Sequence, residues 1–229
     1  MEVEKILEIH KKLNFNYGLL TDEFPEQCMS IKYIKETDTV LELGGNIGRN
    51  SCIISSILND SSRLVVFETN YYDYLKLQEN RDNNNFKFNI ENSAISKQNL
   101  YQKDWIVKPE NEIFIINNWN KINTSNWSDI KNKYNHLNFN VLVVDCEGGL
   151  YYILKEEPNF LETFETIIIE NDFTQVSHKL FVDEEFKKNN FNLIYNKSLE
   201  DDTNIMNDCF YQVWINDTLI KKYLSNNNL

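Results

Sequence analysis

The segment VLELGGNIGRNS, residues 40–51, combines a carboxylate, three glycines and an asparagine. Its apolar residues Val40, Leu41 and Leu43 predict a buried strand that ends just beyond Glu42. Glycines allow the backbone to approach a ligand closely, and the helix expected from Asn50 would present free N–H groups to an anion. This order of strand, glycine loop and helix predicts a nucleotide-type cofactor site.

The spacing of the loop distinguishes between cofactors. A dinucleotide site has the pattern Gly-x-Gly-x-x-Gly, whereas Asn46 stands here where the second glycine would be. A side-chain amide suits a small carboxylate better than a pyrophosphate. The segment therefore resembles motif I of class I S-adenosylmethionine (SAM) methyltransferases. The residues expected to bind the amino-acid end of that cofactor are Glu42, Gly44, Gly45, Asn46 and Gly48.

A second carboxylate follows the next apolar run, in the segment LVVFE at residues 64–68. An acid about 20 residues after such a glycine loop is the position at which a ribose diol is bound, because a carboxylate accepts hydrogen bonds from two hydroxyls. We therefore expect Glu68, with the adjacent Thr69, to contact the ribose.

A third carboxylate, Asp145, ends the apolar run VLVV at residues 141–144. Ligands of open α/β sheets bind where the strand order reverses, which places the reactive group near Asp145 and Glu147. Methyl transfer depends on positioning of the acceptor, and a hydroxyl acceptor is helped by a base. We expect Asp145 to be that base, with Glu147 as the second candidate and His178 as the third.

These residues require a sheet to hold them, and the apolar runs supply one. Strands and helices alternate along the chain, which predicts a mostly parallel sheet with helices on both faces and a late antiparallel strand. The expected strands are 40–43, 63–68, 86–95, 140–145, 166–170, 191–195 and 210–215. The expected helices lie at 1–35 (one or two), 50–58, 71–80, 123–133 with Ser125 as N-cap, 150–155 and 182–188, and the segment Glu112–Ile116 suggests a strand or hairpin.

Several of these segments together resemble the FkbM family of SAM-dependent methyltransferases. The resemblance spans Val40 to Trp214 and rests on the segments LELGGNIG, VFETN, NSAIS, VLVVDCEGGLYYIL, IIIEND and YQVW. Two positions depart from the family pattern: Glu42 stands where the family usually has Asp, and Gly149–Leu150 follows where it usually repeats an acid.

The resemblance implies a Rossmann-like fold with a seven-stranded sheet and SAM as the cofactor. It further implies that Ser93 and Ala94 line the adenine and that the acceptor is a hydroxyl of a sugar, nucleotide-sugar or oligosaccharide in glycan biosynthesis. We interpret the whole chain, 1–229, as one domain with an N-terminal helical cap over 1–39 and an insertion at 96–120 near the mouth of the pocket.

The composition limits the classes of partner that we expect the protein to bind. The chain has 229 residues and a net charge of −12, and no basic face is visible, which argues against nucleic acid. No apolar run reaches the ~18–20 residues of a membrane span, and the charged N-terminus is not a signal peptide. Whether the chain forms a homodimer is left open.

The cysteines and the acidic residues are the candidate ligands for a metal ion. Cys28, Cys52, Cys146 and Cys209 form no Cys-x-x-Cys pair and are interpreted as reduced thiols, which fits the cytoplasm, or the host cytoplasm if the protein is viral. We expect no metal. If a divalent ion does bind, its oxygen ligands would be Asp145, Glu170 and Asp172.

Three alternatives stay open. A small NAD-dependent reductase would use a Tyr-x-x-x-Lys pair, and Tyr151 and Lys155 match that spacing, although the glycine loop does not fit. A non-catalytic SAM-binding module is consistent with the departure at Gly149–Leu150. A nucleic-acid methyltransferase is disfavoured by the acidity of the chain and by the lack of an Asn/Asp-Pro-Pro-Tyr/Phe motif.

Overall fold

The computed structural model describes residues 2–113, 117–199 and 206–218. Its α-helices are α1 (Glu2–His10), α2 (Phe24–Tyr33), α3 (Arg49–Ile57), α4 (Tyr71–Asn83), α5 (Trp127–Lys133), α6 (Leu150–Glu156) and α7 (Val176–Lys188). A short 3-10 helix, Leu20–Glu23, precedes α2.

The strands are β1 (Val40–Leu43), β2 (Leu64–Phe67), β3 (Asn89–Glu91), β4 (Ala94–Ile95), β5 (Leu100–Lys103), β6 (Ile106–Pro109), β7 (Asn120–Ile122), β8 (Thr124–Ser125), β9 (Val141–Val144), β10 (Thr166–Glu170), β11 (Asn192–Lys197) and β12 (Tyr211–Ile215). Seven of them form one sheet in the order β11-β12-β10-β9-β1-β2-β3. β12 runs antiparallel to both of its neighbours, β10 and β11, and the other strand pairs of this sheet are parallel. The predicted Rossmann-like fold is confirmed.

The centre of the sheet is apolar on both faces. Every residue of β1, β2 and β9 is buried. Because successive side chains of a strand point to opposite faces, both faces must be covered by helices and loops. Glu42 is the only charged residue in these three strands, and it is buried with 2% exposure, so its burial needs a separate explanation.

The segment between β3 and β9 has a different arrangement of strands from the one that we expected. A single strand over 86–95 is not formed; β3 ends at Glu91, and Ala94–Ile95 pairs with Thr124–Ser125 instead. The next residues form a hairpin, β5–β6, with β7 on its other side. Of the segment Glu112–Ile116, residues 114–116 lie outside the described residues, and Glu112 ends a short 3-10 turn.

Two helix boundaries also differ. The helix predicted over 123–133 begins only at Trp127, with Asn126 rather than Ser125 at its N-cap, because Thr124–Ser125 is taken up by pairing with β4. The helix predicted from Val182 begins six residues earlier, at Val176. At the start of α5, the long-range pairing of Thr124–Ser125 sets the boundary, and local sequence preference does not.

The buried centre of the sheet generates a prediction about stability. Leu142 in β9 is fully buried, so Leu142→Ala should lower the free energy of unfolding by about 2–5 kcal/mol. Leu180→Ala in α7 is the matched control because Leu180 is 58% exposed, and its effect should stay within about 0.5 kcal/mol. Urea unfolding measures both, and equal effects would contradict the packing described here.

Candidate functional site

A cavity of about 390 Å³ lies at the carboxyl ends of the central strands. Residues that end or follow β1, β2, β9 and β10 line it: Gly44, Asn46, Glu68, Thr69, Asp145, Glu147 and Glu170. Its volume falls within the ~300–1,000 Å³ typical of small-molecule sites, and its place is where ligands bind in open α/β sheets.

The glycine loop permits a close contact between β1 and β9. Gly44 has a φ of +87°, and a Cβ there would lie 1.5 Å from the backbone oxygen of Asp145. No side chain fits in that space. The backbone at Gly44 therefore lies in direct contact with the backbone of Asp145, and the glycine loop packs closely against the end of β9.

The N–H groups of this loop are largely used within the protein. Gly44 and Gly45 donate to the carbonyl of Phe67 at 2.9 and 3.0 Å, and the N–H of Ile47 donates to Asn46 Oδ1 at 2.8 Å. Most N–H groups of the loop are therefore not available to a ligand. Asn46 lines the cavity. Its side-chain Nδ2 has no acceptor among the described residues, so this nitrogen can donate a hydrogen bond to a ligand.

Glu68 connects two loops below the cavity. Its carboxylate accepts from the N–H of Asn46 at 2.7 Å and from the N–H of Asn70 at 2.7 Å. Burial raises its pKa to about 7, against the effect of these N–H groups. Carboxylate oxygens have further lone pairs, so this held carboxylate can still accept hydrogen bonds from a ligand.

Glu42 lies behind the main cavity. It accepts from Ser51 Oγ at 2.5 Å, and burial raises its pKa to about 8. Glu42 lines a second cavity of about 10 Å³, with Asn50 and several residues of the main cavity. That volume matches about one water molecule, so contact between Glu42 and a ligand in the main cavity would run through a bridging group.

The first turn of α3 already binds a carboxyl group of the protein, that of Glu23. Glu23 accepts from Arg49 Nη1 at 3.0 Å and from the N–H of Asn50. Burial nevertheless raises the pKa of Glu23 to about 7. The helix N-terminus, where sequence reasoning placed the carboxylate of a ligand, is therefore occupied by Glu23.

Asp145 and Glu147 face the cavity on a turn that Asp172 shapes. Asp172 accepts from the N–H groups of Glu147 and of Gly148, the latter at 2.9 Å. Glu147 and Gly148 have φ values of +51° and +78°, a conformation unusual for glutamate. Burial, with the Asp172 charge second, raises the pKa of Asp145 well above its usual value.

Ser93 and Ala94 line the cavity together with Thr69 and Glu68. The β5–β6 hairpin contributes a further wall from Leu100, Gln102, Trp105 and Val107. Trp105 is 55% exposed although it borders the cavity. The predicted cofactor residues of the second and third strands thus share one cavity with part of the 96–120 segment.

Some predicted site residues lie elsewhere. Gly45 and Gly48 pack against Val66 and Leu77. His178 does not line the cavity; its ring stacks on Tyr151 at 3.6 Å, and burial lowers its pKa. The structure does not place His178 where it could act as the base. Tyr151, of the pair proposed for a reductase, is also outside the cavity lining.

The metal ligands suggested by the sequence are not arranged as a set. Asp172 is engaged by two N–H groups, and the residues that the structure describes contain no group of three His, Cys, Asp or Glu side chains suited to a metal ion. The acids that end or follow β9 and β10 are better described as a partly buried carboxylate cluster.

Sequence reasoning missed Glu23 and Glu26, which reach the cavity from the 3-10 helix and from α2. It also missed Phe210 and Tyr211 at the start of β12, where Tyr211 lies beside Glu170 of β10. Glu26 lies in the sequence FPEQ at a helix start, where an acid is ordinary. No motif marks these positions, because tertiary packing alone brings them to the strand ends.

Comparison with solved structures identifies the fold. A ribosomal protein L11 methylase from Lactobacillus delbrueckii subsp. bulgaricus has a TM-score of 0.53 and 7% identity over 88% of this chain and 81% of its own. An rRNA methylase from Streptococcus thermophilus has a TM-score of 0.51 and 6% identity over 83% and 93%. A putative tRNA (m1A22) methyltransferase from Streptococcus pneumoniae, in complex with SAM, has a TM-score of 0.50 and 11% identity over 83% and 71%.

The chain therefore has the Rossmann-like fold of class I methyltransferases. No protein-family model and no curated protein sequence matches it. The resemblance to the FkbM family is thus supported only at the coarser level of the methyltransferase fold. Identities this low establish a shared fold and do not identify a substrate.

Our prediction of partners is wrong on this comparison. We expected a sugar, nucleotide-sugar or oligosaccharide acceptor and excluded nucleic acid, whereas structures of the same fold are described as methylases of rRNA and tRNA. The exclusion failed because net charge describes the whole chain and does not report the chemistry of one site. Separately, no helix in the described ranges has the length and apolar character needed to cross a bilayer.

The burial of Glu42 predicts a pH dependence of stability. Its carboxyl loses its proton near pH 8 in the folded protein and near pH 4.5 once the chain unfolds. The unfolded chain therefore binds fewer protons between these values, and the stabilisation present at low pH is lost as the pH rises. We expect the free energy of unfolding to fall from about pH 5 to about pH 8, and Glu42→Gln to reduce that fall.

Urea unfolding at both pH values measures this difference. Glu162→Gln serves as the control because Glu162 is exposed. An unchanged pH slope in Glu42→Gln would show that the Glu42 carboxyl is not the titrating group.

Proposed function

We propose that the protein is a SAM-dependent methyltransferase that binds its cofactor in the 390 Å³ cavity. The observation that carries this proposal is the alignment of three features along one edge of the sheet. They are the closed glycine loop after β1, the buried carboxylate of Glu68 after β2, and Asp145 after β9. Together they form a site for a molecule with a ribose at one end and a reactive centre at the other.

The segments behind the FkbM resemblance support the same assignment. LELGGNIG, VFETN, NSAIS and DCEGG each contribute residues to the cavity wall. The S. pneumoniae protein of the same fold was crystallised with SAM. We extend that cofactor to this chain as part of the proposal.

The adenosine half is assigned to one wall. Glu68 would accept hydrogen bonds from the ribose hydroxyls while its two backbone contacts hold it in place. Thr69, Ser93 and Ala94 border the same part of the cavity and would contact the adenine.

The amino-acid half is assigned to the other end. Asn46 would donate its side-chain amide to the carboxylate of the cofactor, and Glu42 would reach the amine through the one-water cavity. Gly45 and Gly48 act indirectly, by allowing the loop to pack on Val66 and Leu77.

SAM supplies an activated methyl group when bound. Asp145 and Glu147 lie at the strand end where the acceptor must approach, and either carboxylate can take up the proton that the acceptor loses. Burial, with the Asp172 charge second, raises the pKa of Asp145, so this carboxylate takes up a proton more readily than an exposed aspartate does. Apolar walls from Leu43, Phe67 and Ile153 restrict water around these groups.

The acceptor atom is an oxygen or a nitrogen. An oxygen acceptor follows from the resemblance to the FkbM family, and both kinds of acceptor need a neighbouring proton acceptor. Nucleic acid belongs among the acceptors to be tested, since rRNA and tRNA methyltransferases share this fold.

Calorimetric titration with SAM, S-adenosylhomocysteine and NAD tests the cofactor assignment. We expect both SAM and S-adenosylhomocysteine to bind and NAD not to bind. Glu68→Gln should weaken their binding about tenfold to a hundredfold, the loss expected for hydrogen bonds to a charged group.

Glu162→Gln is the matched control, because it changes an exposed glutamate outside the cavity lining. Circular dichroism should show that both variants fold. Unchanged SAM affinity in Glu68→Gln would refute the ribose assignment, and NAD binding in place of SAM would favour a reductase. SAM binding without turnover on any acceptor would favour a non-catalytic SAM-binding module.

A further inference from the structure

The side chains around the main cavity carry charge of one sign. Seven carboxylates line it, whereas no Lys, Arg or His does so among the described residues. These acids come from four parts of the chain: Asp22, Glu23, Glu26, Glu68, Asp145, Glu147 and Glu170.

Part of this charge is balanced within the protein. Arg49 pairs with Asp22 at 3.2 Å and with Glu23 at 3.0 Å. Glu68 is held by two backbone N–H groups. For Glu26 and Glu170, in contrast, no Lys or Arg of the described chain forms an ion pair.

Glu26 and Glu170 each have a buried oxygen without a donor. Oε2 of both residues is inaccessible and has no hydrogen-bond donor among the described residues, and Glu26 is only 8% exposed. The two side chains lie within hydrogen-bonding reach of each other. Burial and this contact raise the pKa of Glu170 to about 12.

Two facing carboxylates in a buried site are costly unless a positive group joins them. A proton held by Glu170 meets that need in the absence of ligand. An ammonium group meets it better, because it has a positive charge and three N–H donors. A hydroxyl has one donor and no charge, and it would leave one of the two carboxylate oxygens unsatisfied.

We propose that the methyl acceptor is an amine and that its ammonium group binds between the carboxylates of Glu26 and Glu170. This inference rests on the proposed function and names the acceptor class of the same site. Other parts of the cavity lining are apolar and aromatic, from Leu100, Trp105 and Phe210. Tyr211 lies directly beside Glu170 in the neighbouring strand. The acceptor is therefore a small molecule or an exposed group with an amine on an apolar or aromatic body.

The reaction balances with these groups. The bound ammonium passes one proton to Asp145 and becomes a neutral amine. The nitrogen lone pair then forms the new N–C bond to the methyl carbon, while the C–S bond breaks and its electron pair stays on sulfur. The products are S-adenosylhomocysteine and a methylated ammonium, which carries the positive charge that the sulfonium loses.

Matched probes distinguish the acceptor classes. Binding of 2-phenylethylamine and of 2-phenylethanol to the protein saturated with S-adenosylhomocysteine is measured by calorimetry, and methylated product is measured by mass spectrometry with SAM. We expect the amine to bind at least about tenfold more tightly than the alcohol, as for a hydrogen bond to a charged group, and to yield the N-methyl product.

Glu26→Gln keeps the size of the side chain and removes its charge. It should abolish most of the preference for the amine and leave the affinity for S-adenosylhomocysteine unchanged within about twofold, which also shows that the variant folds. Glu162→Gln, outside the cavity lining, should change neither affinity.

Three results would overturn the inference while the proposed function stands. The alcohol binds as well as the amine; or Glu26→Gln weakens S-adenosylhomocysteine, whose own ammonium then occupies the pair; or tRNA or rRNA is methylated and the amine is not. Failure of SAM and S-adenosylhomocysteine to bind the unchanged protein would instead overturn the proposed function, and this inference with it.

Discussion

The contact between Gly44 and the backbone of Asp145 sets the geometry of the whole site. A Cβ at residue 44 would lie 1.5 Å from the Asp145 oxygen, so the ends of β1 and β9 meet only because this side chain is absent. In the same loop, the N–H of Asn46 donates a hydrogen bond to Glu68. This bond links the end of β1 to the end of β2. Three strand ends are thus fixed relative to each other by a glycine and one carboxylate.

The carboxylates gathered at this edge oppose the stability of the fold. Glu42 and Glu68 are buried and Asp172 is half-buried, and their pKa values are raised to about 8, 7 and 7. Groups of this kind weaken the folded state as the pH rises through those values. A protein retains such charges where a ligand offsets them, and a cofactor with a sulfonium, with or without a cationic acceptor, is a ligand of the required sign.

The sequence was most informative where local pattern and global position coincide. Apolar runs that end in Glu68 and Asp145 predicted both the central strands and the cavity-lining acids, because parallel strands bury both faces and expose their ends. It failed at Ala94–Ile95, where pairing with Thr124–Ser125 depends on residues far along the chain. Glu23 and Glu26 were missed for the same reason, since helix packing alone brings them to the strand ends. The partner prediction failed because it relied on total charge.

The central claim is that this edge of the sheet binds SAM with the ribose at Glu68 and the reactive centre at Asp145. A crystal structure of the protein with S-adenosylhomocysteine tests it most directly. We expect ribose hydroxyls within hydrogen-bonding distance of Glu68, adenine beside Ser93 and Ala94, and the sulfur on the side of Asp145. Density for the ligand outside this cavity, or with the adenine at Asp145, would show that SAM does not bind in this way.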